Sequence, residues 1–461
     1  MSPLNAFAVD HTVEHLVNYA QDAWHSTLTP DVVHECKRRV LDTVACALAG
    51  RSTEVGKLAC NTALRYSGVE QATLWGSCDR SSVDMAAFAN GTLLRVLDLS
   101  DMYRNRSGGH PSDVIAPIVS AAESAGASGM SALKAMAIAY DVYCGFCDDI
   151  DVNSMGWDQP VYGAVAAALG VSAVMELDAP RMKEALSLSL VPNMALYQTR
   201  TGELSAWKGC AAANGSRNAV FAASLARDGY TGPQAPVEGS MGLWRATGRF
   251  EWNPGGADGR RAVCRTHLKS FPICYHGQSA AWAALELQRA GVRVPEIEMI
   301  EIRTYATAVK LMASDETRWN PQTRETADHS LPYVVALGLL HGEVSDAFFE
   351  AQWLRDADIL SLMKKVRVSE DGEATRAYPE VVRCRLEVRM KNGTTREAAV
   401  DHPKGHDRNP MSDREIEDKV KDLLGGSSGG QRAGKVIDAA WRLDDTEHIG
   451  TFVESLASPG Y

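Results

Sequence analysis

The sequence predicts a multidomain α and α+β protein, with a large all-helical domain and a smaller α+β domain. Apolar residues recur at helical spacing from residue 12 to about residue 230, strand-like alternation first occurs after about residue 260, and helical spacing returns after Pro410. A chain of 461 residues is also too long for one ordinary core. We therefore expect a helical domain of residues 1–265 with 405–461 and an α+β domain of residues 266–404.

The most clearly delimited helix is predicted between Thr29 and Gly50. Thr29 is a suitable N-cap residue, Pro30 suits the first helical position, and Gly50 is expected just beyond the last turn. Runs rich in Ala, Gly and Ser predict closely packed helices over residues 131–143, 159–175, 179–190 and 211–226. These helices would form the packed bundle of the first domain.

Strands are predicted in the second half of the chain. Residues 298–305 alternate in the strand manner, and residues 381–390 and 396–400 flank Asn392-Gly393, which favours a type I′ hairpin turn. Helices are expected among these strands at residues 279–290, 329–340 and 357–365, and after them at residues 413–424, 436–441 and 448–457.

Composition and charge narrow the class of protein. The formal net charge of −11 argues against nucleic acid or an anionic membrane surface as a partner. No window is apolar enough to cross a bilayer, and the first eleven residues lack the pattern of a signal peptide. The ten scattered cysteines fit buried free thiols better than a disulfide framework. We expect a cytoplasmic protein without a membrane partner.

Two motifs suggest cofactors but occur in unsuitable contexts. Gly429 to Lys435 has the Gly-x4-Gly-Lys spacing of a phosphate-binding loop, but Val436 replaces the required hydroxyl residue and no strand precedes it, so we expect a linker. Cys144 and Cys147 could belong to an iron–sulfur cluster, as in some hydro-lyases that act on citrate-like acids. Their position in an apolar helix, without another cysteine pair, favours structural thiols.

The richest polar segment of the chain runs from Asp98 to Asp113. It combines carboxylates, cations and His110. Pro111 favours an extended conformation at His110, just before a helix that begins at Ser112 or Asp113, and free N–H groups at such a helix start attract anions. This segment is a candidate site for anion binding and proton transfer; the alternative is a turn whose polar residues only cap helices.

Three further segments could contribute to the site. Lys208 begins a helix whose next residues are small, so its ammonium group could be desolvated and bind a carboxylate or exchange a proton; the alternative is a solvated lysine. Lys269 and His276 occur where the helical pattern gives way to the mixed one, and pockets favour domain boundaries. Considered singly, His329 is expected to be a structural cap, and Tyr333 a core residue with a hydrogen-bonded hydroxyl.

Four segments, taken together and in this order, resemble the MmgE/PrpD family, which contains 2-methylcitrate dehydratase, cis-aconitate decarboxylase and iminodisuccinate epimerase. The segments are Asp98-x-x-Asp101 with Gly109-His110-Pro111-Ser112-Asp113, Gly202-Glu-Leu-Ser-x-Trp207-Lys208-Gly209, Lys269-x-x-Pro272-x-x-x-His276-x-Gln278, and Thr326-Ala-Asp328-His329-Ser330-x-x-Tyr333. The similarity spans essentially the whole chain, and the joint occurrence of the four segments is far more specific than any one of them.

The resemblance implies a large helical domain, a smaller α+β lid domain, a homodimer, and no metal or organic cofactor. It also implies an active site in the cleft between the domains. Catalytic roles map to Asp98, His110, Lys208 and His276, and substrate-binding roles map to Lys269 and Tyr333.

Two positions depart from the family pattern. Met102 stands where members often carry Thr, and Gln159 lies near a position where some members carry His. Both changes remove a group that could orient a substrate or move a proton. The resemblance therefore leaves the exact substrate open.

The expected function is that of a carbon–oxygen lyase, a hydro-lyase that acts on a small polycarboxylic acid. The first choice is dehydration or hydration of a 2-methylcitrate-like substrate by acid/base catalysis. Decarboxylation of an aconitate-like acid and epimerisation next to a carboxylate are alternatives, and a non-catalytic polycarboxylate-binding protein is an alternative of another class. Since these reactions pass through carbanion-like species, Lys208 and Lys269 are expected to bind carboxylates, with N–H donors from the helix start at Ser112.

Overall fold

The computed structural model describes residues 9–66, 68–254, 259–425 and 429–457. The first half of the chain is predominantly helical, as predicted, and it also contains two short two-stranded sheets that the sequence pattern did not indicate. Its elements are α1 (His11–His25), α2 (Pro30–Gly50), α3 (Glu54–Arg65), β1 (Ala72–Thr73), β2 (Arg80–Ser81), α4 (Val83–Arg95), β3 (Tyr103–Arg104), β4 (Gly108–Gly109), α5 (Ile115–Ala125), α6 (Gly129–Asp149), α7 (Pro160–Val174), α8 (Ala179–Leu190), α9 (Trp207–Arg227) and α10 (Leu243–Thr247).

Helix α2 approaches α4 at a point where only glycine fits. A Cβ atom at Gly50 would lie 2.2 Å from the carbonyl oxygen of Leu93. Gly50 is the last residue of α2 rather than the residue after it, and Thr29 occupies the N-cap position without a side-chain capping hydrogen bond. The close approach holds α4 in place, and α4 leads directly into the segment that contains Asp98.

The second half of the chain mixes helices with one four-stranded sheet. Its elements are α11 (Gln278–Arg289), β5 (Ile297–Thr304), α12 (Ala306–Met312), α13 (Arg324–Ala327), α14 (Leu331–His341), α15 (Ala357–Met363), β6 (Val366–Glu370), α16 (Gly372–Ala377), β7 (Cys384–Met390), β8 (Thr395–Val400), α17 (Asp413–Leu424), α18 (Gly429–Trp441) and α19 (Ile449–Ser455). The strand order is β6-β5-β7-β8; β5 and β6 are parallel, and the other two pairs are antiparallel.

The predicted hairpin of β7 and β8 is present, but its turn differs from the expected type. Arg389 pairs with Thr395 across the strands. Gly393, with φ of 83°, has the left-handed conformation, whereas Asn392 does not, and a type I′ turn needs a positive φ at both central residues. The N–H of Gly393 donates to the carbonyl oxygen of Met390 at 2.9 Å, so the glycine follows the tight turn instead of standing within it.

The described residues form two main hydrophobic cores. The first contains buried side chains from Val13 to Leu268 and from Met411 to Leu456. The second contains buried side chains from Ile273 to Met390 and covers the sheet, α11 and α14. The helices at the end of the chain therefore pack on the first core, where α17 and α18 contact α2.

The segment from Gly429 to Lys435 forms the first turns of α18. It is neither a phosphate-binding loop nor the linker that we expected, because its backbone N–H and C=O groups belong to a helix that packs on α2. None of the helices in the described part of the chain combines the length and apolar character that a bilayer crossing requires.

Two segments connect the cores, and they run side by side. The N–H of Leu268 donates to the carbonyl oxygen of Gly405 at 2.9 Å, and the hydroxyl of Ser270 donates to that of Lys404 at 2.9 Å. Gly405 has φ of +94°, and a Cβ atom there would lie 2.1 Å from the carbonyl oxygen of Leu268. The connectors therefore depend on a glycine at position 405.

Candidate active site

A cavity of about 90 Å³ is walled by residues from both halves of the chain. Five of the six predicted site residues line it: Asp98, His110, Lys208, Lys269 and His276. Further lining residues include Arg95, Arg104, Gln159, Arg200, Cys274 and His329. A larger cavity of about 770 Å³ lies against α2 and α17, but its lining contains no histidine among the described residues, so we place the chemistry in the smaller cavity.

Tyr333 is the predicted site residue that the structure does not bring to this cavity. Its side chain is fully buried in the second core, and its hydroxyl donates to the carbonyl oxygen of Phe348 at 2.6 Å. The hydroxyl is therefore used inside the protein. This placement matches the alternative expectation of a core tyrosine with a hydrogen-bonded hydroxyl, and it gives no support to a substrate-binding role.

Asp98 is the centre of a buried cluster of charges. Its carboxylate lies 2.5 Å from Nζ of Lys269, 3.1 Å from Nζ of Lys208 and 3.4 Å from Nη1 of Arg95. Burial alone would raise the pKa of Asp98, but Lys208 and Lys269 outweigh it and hold this pKa well below its usual range. Asp98 also has φ of 49°, which a residue with a Cβ rarely adopts, so the surrounding contacts hold it in a strained conformation.

Both lysines are fully engaged within the protein. Nζ of Lys269 donates to the carboxylate of Asp98 at 2.5 Å, to the carbonyl oxygen of Asp98 at 2.7 Å and to that of Ile273 at 3.2 Å. Nζ of Lys208 contacts Asp98 and lies 2.9 Å from both carboxylate oxygens of Asp328. The lysines therefore contribute positive charge and hold Asp98, and they leave little hydrogen-bonding capacity for a substrate carboxylate.

His110 is neutral, and one of its ring nitrogens is free to accept a proton. Its Nδ1 lies 2.6 Å from the carbonyl oxygen of Asp101, which can only accept, so Nδ1 carries the hydrogen and Nε2 carries the lone pair. Burial, with Arg95 and Lys269 nearby, holds the pKa of His110 well below its ordinary value. Nε2 lies 3.9 Å from the Asp98 carboxylate, inside the cavity wall.

The helix start after His110 serves a different purpose from the one predicted. His110 is extended, as expected, and a short 3-10 helix, Pro111–Val114, precedes α5. The backbone N–H of Ser112 donates to Oδ1 of Asp101 at 2.9 Å. The expectation that Ser112 supplies an N–H donor for the substrate is wrong, because a carboxylate of the protein already occupies that donor.

His276 also lies in the cavity as a neutral imidazole. It belongs to a short 3-10 helix, Tyr275–Gly277, immediately before α11. Its Nδ1 lies 2.7 Å from the hydroxyl of Tyr305. Burial is the main cause that holds the pKa of His276 well below its ordinary value, with Arg104 and His329 acting in the same direction.

His329 is a cavity residue rather than the cap we expected. Ser330 caps α14 instead, since its hydroxyl accepts the N–H of Tyr333. Nδ1 of His329 contacts the Asp328 carboxylate and lies 3.2 Å from Nζ of Lys208. Burial disfavours the imidazolium, but Cys274 and Asp328 together raise the pKa of His329 above its ordinary value. The cavity thus combines two imidazoles whose pKa is lowered with one whose pKa is raised.

Two hydrogen-bond donors of the cavity have no partner among the described residues. These donors are Nη2 of Arg200 and Nε2 of Gln159. The side chain of Gln159 is buried. The other side of Arg200 is fixed, because its Nε lies 3.1 Å from the Asp158 carboxylate. Buried donors are normally satisfied, so these two groups are suited to an acidic ligand.

Several polar cavity residues escaped the predicted site, among them Cys274, Arg200, His329 and Gln159. The sequence marked Gln159 only as a departure from the family pattern. Cys274 and His329 each lie within eight residues of a predicted site residue, as does Arg200 relative to Lys208. Proximity in sequence to predicted residues was the available signal. The contact between His329 and Lys208, which are separated by 121 positions, has no counterpart in local sequence pattern.

Among the described residues, two clusters have the geometry to hold a metal ion. Asp98, Asp328 and His329 form one, but the Lys208 ammonium lies 2.9 to 3.1 Å from both carboxylates, and the Lys269 ammonium lies 2.5 Å from that of Asp98. The two lysines together balance the charge of the two carboxylates. The second consists of His267, His406 and Asp407, beside the connectors and outside the cavity wall.

Cys144 and Cys147, considered above as cluster ligands, are buried within α6. Burial raises the pKa of both thiols. A raised pKa disfavours the thiolate form that binds iron, so the structural reading of this pair is supported.

Two domain models of one known protein family together match most of the chain. The MmgE/PrpD N-terminal domain matches residues 14–252, and the MmgE/PrpD C-terminal domain matches residues 271–443. The 2-methylcitrate dehydratase of Escherichia coli (strain K12) is 28% identical over 426 residues, which cover 86% of this chain and 85% of that protein. The mitochondrial 2-methylcitrate dehydratase of Yarrowia lipolytica is 26% identical over 425 residues, covering 86% and 80%. The cis-aconitate decarboxylase of Mus musculus is 23% identical over 470 residues, covering 94% and 90%. The chain belongs to the MmgE/PrpD family.

Proposed function

We propose that this protein is a hydro-lyase that dehydrates or hydrates a small tricarboxylic acid of the 2-methylcitrate type. The observation that carries the proposal is the cavity itself, in which neutral His110 faces Asp98, Lys208 and Lys269. The names of two of the relatives, 2-methylcitrate dehydratase, supply the substrate class. The same set of groups suits any reaction that passes through a carbanion next to a carboxylate.

Substrate binding is assigned to the donors that the protein leaves unsatisfied. Nη2 of Arg200 and Nε2 of Gln159 bind substrate carboxylates, and Arg104 adds positive charge to the wall. Lys208 and Lys269 stabilise developing negative charge through their field, since their hydrogens are engaged within the protein. This division changes the sequence-based expectation, in which the two lysines bound the carboxylates directly.

His110 and His329 are the proposed base and acid. Nε2 of His110 removes the proton next to a carboxylate, and the carbon–hydrogen electron pair forms the new double bond. The bond to the β-hydroxyl breaks as His329 supplies a proton, so that water leaves. The two imidazoles then exchange protons with solvent to return to their starting states. Asp98 orients the lysines and His110 around the reacting carbons.

The volume of the cavity adds a conformational requirement. About 90 Å³ corresponds to roughly three water molecules, whereas pockets for small ligands usually exceed about 300 Å³. We therefore propose that residues 266–404 act as a lid, which swings on the paired connectors at Leu268 and Gly405 to admit the substrate.

We also propose that the protein forms a homodimer. Light scattering coupled to size-exclusion chromatography tests this oligomeric state.

The test is incubation with 2-methylcitrate, citrate and cis-aconitate in deuterated water, followed by proton NMR. Dehydration or hydration is expected, seen as a change in alkene signals with deuterium incorporated at the carbon that loses its proton. Loss of carbon dioxide would assign a decarboxylase, as the mouse relative is named. Binding by calorimetry without any change in the acids would replace the proposal with a non-catalytic binding protein.

A further inference from the structure

Cys274 is the one cysteine among the described residues that line the active-site cavity. It follows Pro272-Ile273, and its backbone N–H donates to the carbonyl oxygen of Asp328 at 2.9 Å. This hydrogen bond joins the segment before α11 to the loop before α14. The sulfur is thereby held beside the side chain that follows Asp328, which is His329.

Cys274 and His329 line the same cavity, and Asp328 links them. The carbonyl oxygen of Asp328 accepts the N–H of Cys274, and its carboxylate contacts Nδ1 of His329. Burial would raise the pKa of Cys274, but His329 outweighs it and lowers this pKa below the ordinary value. Buried cysteines without such a partner, such as Cys384, show the opposite shift. An imidazolium beside a thiol favours the nucleophilic thiolate.

The surroundings of this thiol favour anionic molecules. Arg95, Arg104 and Arg200 line the same cavity, together with both lysines of the Asp98 cluster. Gln159 lines the same cavity, its side chain is only 6% exposed, and its Nε2 has no partner among the described residues. A carboxylate that enters the cavity therefore finds both positive charge and an unused donor.

We propose that Cys274 is a covalent modification site for small electrophilic acids in which a leaving group stands next to the carboxylate, such as α-halo acids. The cavity binds the carboxylate, and the sulfur attacks the adjacent electrophilic carbon. With an α-halo acid, a carbon–sulfur bond forms, the carbon–halogen bond breaks and the halide leaves.

Modification would fill the cavity and stop turnover of any substrate that uses it. A carboxymethyl group on Cys274 adds four heavy atoms to a space of about 90 Å³ and leaves its carboxylate beside the cationic side chains. The inference rests on the thiol and its neighbours, and it holds whichever acid is the natural substrate. It also predicts a selectivity that a surface thiol cannot show.

The experiment compares alkylation by iodoacetate and by iodoacetamide at neutral pH, with peptide mapping by mass spectrometry. In water a thiolate repels iodoacetate, so the exposed Cys78 serves as an internal reference that reacts faster with iodoacetamide. At Cys274 the order is expected to reverse, with iodoacetate faster by about tenfold or more, in the range that charged clefts give. Citrate, at millimolar concentration, should slow the reaction at Cys274 and leave Cys78 unchanged.

Variants identify the cause of the selectivity. Cys78→Ser should keep fast carboxymethylation at Cys274, and His329→Asn should slow it about tenfold or more, because the imidazolium is lost. Circular dichroism and a thermal melt check that each variant is folded. Equal or faster reaction of Cys274 with iodoacetamide would overturn the proposal, as would the absence of label at Cys274 while Cys78 reacts. Turnover is not the readout, so failure of the proposed function would be seen separately.

Discussion

Nδ1 of His110 lies 2.6 Å from the carbonyl oxygen of Asp101, and this one contact determines which ring nitrogen can act as a base. The carbonyl oxygen has no hydrogen to give, so the neutral ring must place its hydrogen on Nδ1. Nε2 then faces the cavity with its lone pair. A buried residue nine positions away in sequence thus sets the protonation pattern of the proposed catalytic histidine.

Replacing His110 by glutamine is expected to lower kcat by about 10²- to 10⁴-fold on the substrate found by NMR, because a positioned base is lost. The exposed His448→Gln is the matched control, since His448 lies outside the cavity wall and its Nδ1 contacts the carbonyl oxygen of Gly126. Steady-state kinetics on folded variants is the measurement. Near-normal kcat in the His110 variant would exclude His110 as the base.

The dependence of kcat/KM on pH should show a plateau between the pKa of His110 and the pKa of His329. His110, whose pKa is held well below its ordinary value, must be neutral, so activity falls only at acid pH. His329, whose pKa is raised, must be protonated, so activity falls as the pH rises through that value. In His329→Gln the alkaline limb should disappear together with most of the activity. An unchanged alkaline limb in this variant would assign the acid to another group.

Gln159→Leu is expected to raise KM about tenfold or more, with a smaller effect on kcat. The amide is assigned a hydrogen bond to a charged carboxylate, and such a bond contributes about 1.5 to 3 kcal/mol. The exposed Gln352→Leu should leave KM unchanged. Calorimetric titration with citrate provides an independent measure, and equal affinity of both variants would rule out a contact between Gln159 and the ligand.

Asp113 should make the folded protein less stable as the pH rises. Burial raises the pKa of Asp113 to about 7, from an ordinary value of 3.8. Between these two values the folded state holds the proton that the unfolded state has released, so the free energy of unfolding falls with rising pH, by about 4 kcal/mol in the limit.

Asp113→Asn removes this titration. Urea unfolding at pH 5 and pH 8 should show a smaller difference in the variant than in the wild type. The exposed Asp228→Asn should follow the wild-type curve. An Asp113→Asn protein with the full wild-type difference would show that the carboxyl of Asp113 titrates normally.

Gly405→Ala should destabilise the connectors between the two cores. An added Cβ would meet the carbonyl oxygen of Leu268 at 2.1 Å, and the φ of +94° is unfavourable for alanine, so a loss of at least about 1–3 kcal/mol is expected. Gly434→Ala in α18 is the control, since no described atom lies within 4 Å of its added Cβ and alanine favours helix. Equal melting temperatures of the two variants would contradict the tight packing at Gly405.

Several elements could be predicted because their ends carry local signals. Helix α8 has the predicted bounds, and α17 begins after Ser412 as expected, where Ser412 and Glu415 form a capping box. Strand β6, Val366–Glu370, was missed because its pairing with β5 lies about 66 positions away in sequence. Local periodicity does not report such partners.

Most residues of the candidate site could be predicted from the sequence, but the role of each residue could not. Asp98, His110, Lys208, Lys269 and His276 do meet at one cavity. Which groups remain free depends on contacts across the fold, such as the full engagement of Lys269 and the open donor of Gln159. Tyr333 shows the same limit, because only the fold reveals that its hydroxyl is bound to Phe348.

The contacts of Lys208 make the chemistry of the cavity depend on how the two halves of the chain are arranged. Its ammonium joins Asp98, which follows α4, to Asp328, which precedes α14 in the other half of the chain. A displacement of α14 away from α9 would separate Lys208 from Asp328 and move His329 out of reach of the cavity. The proposed acid, His329, would then be withdrawn together with Asp328, while Lys208 stays beside Asp98. An open molecule could exchange acids with solvent without acting on them, and the reactive arrangement would exist only around an enclosed substrate.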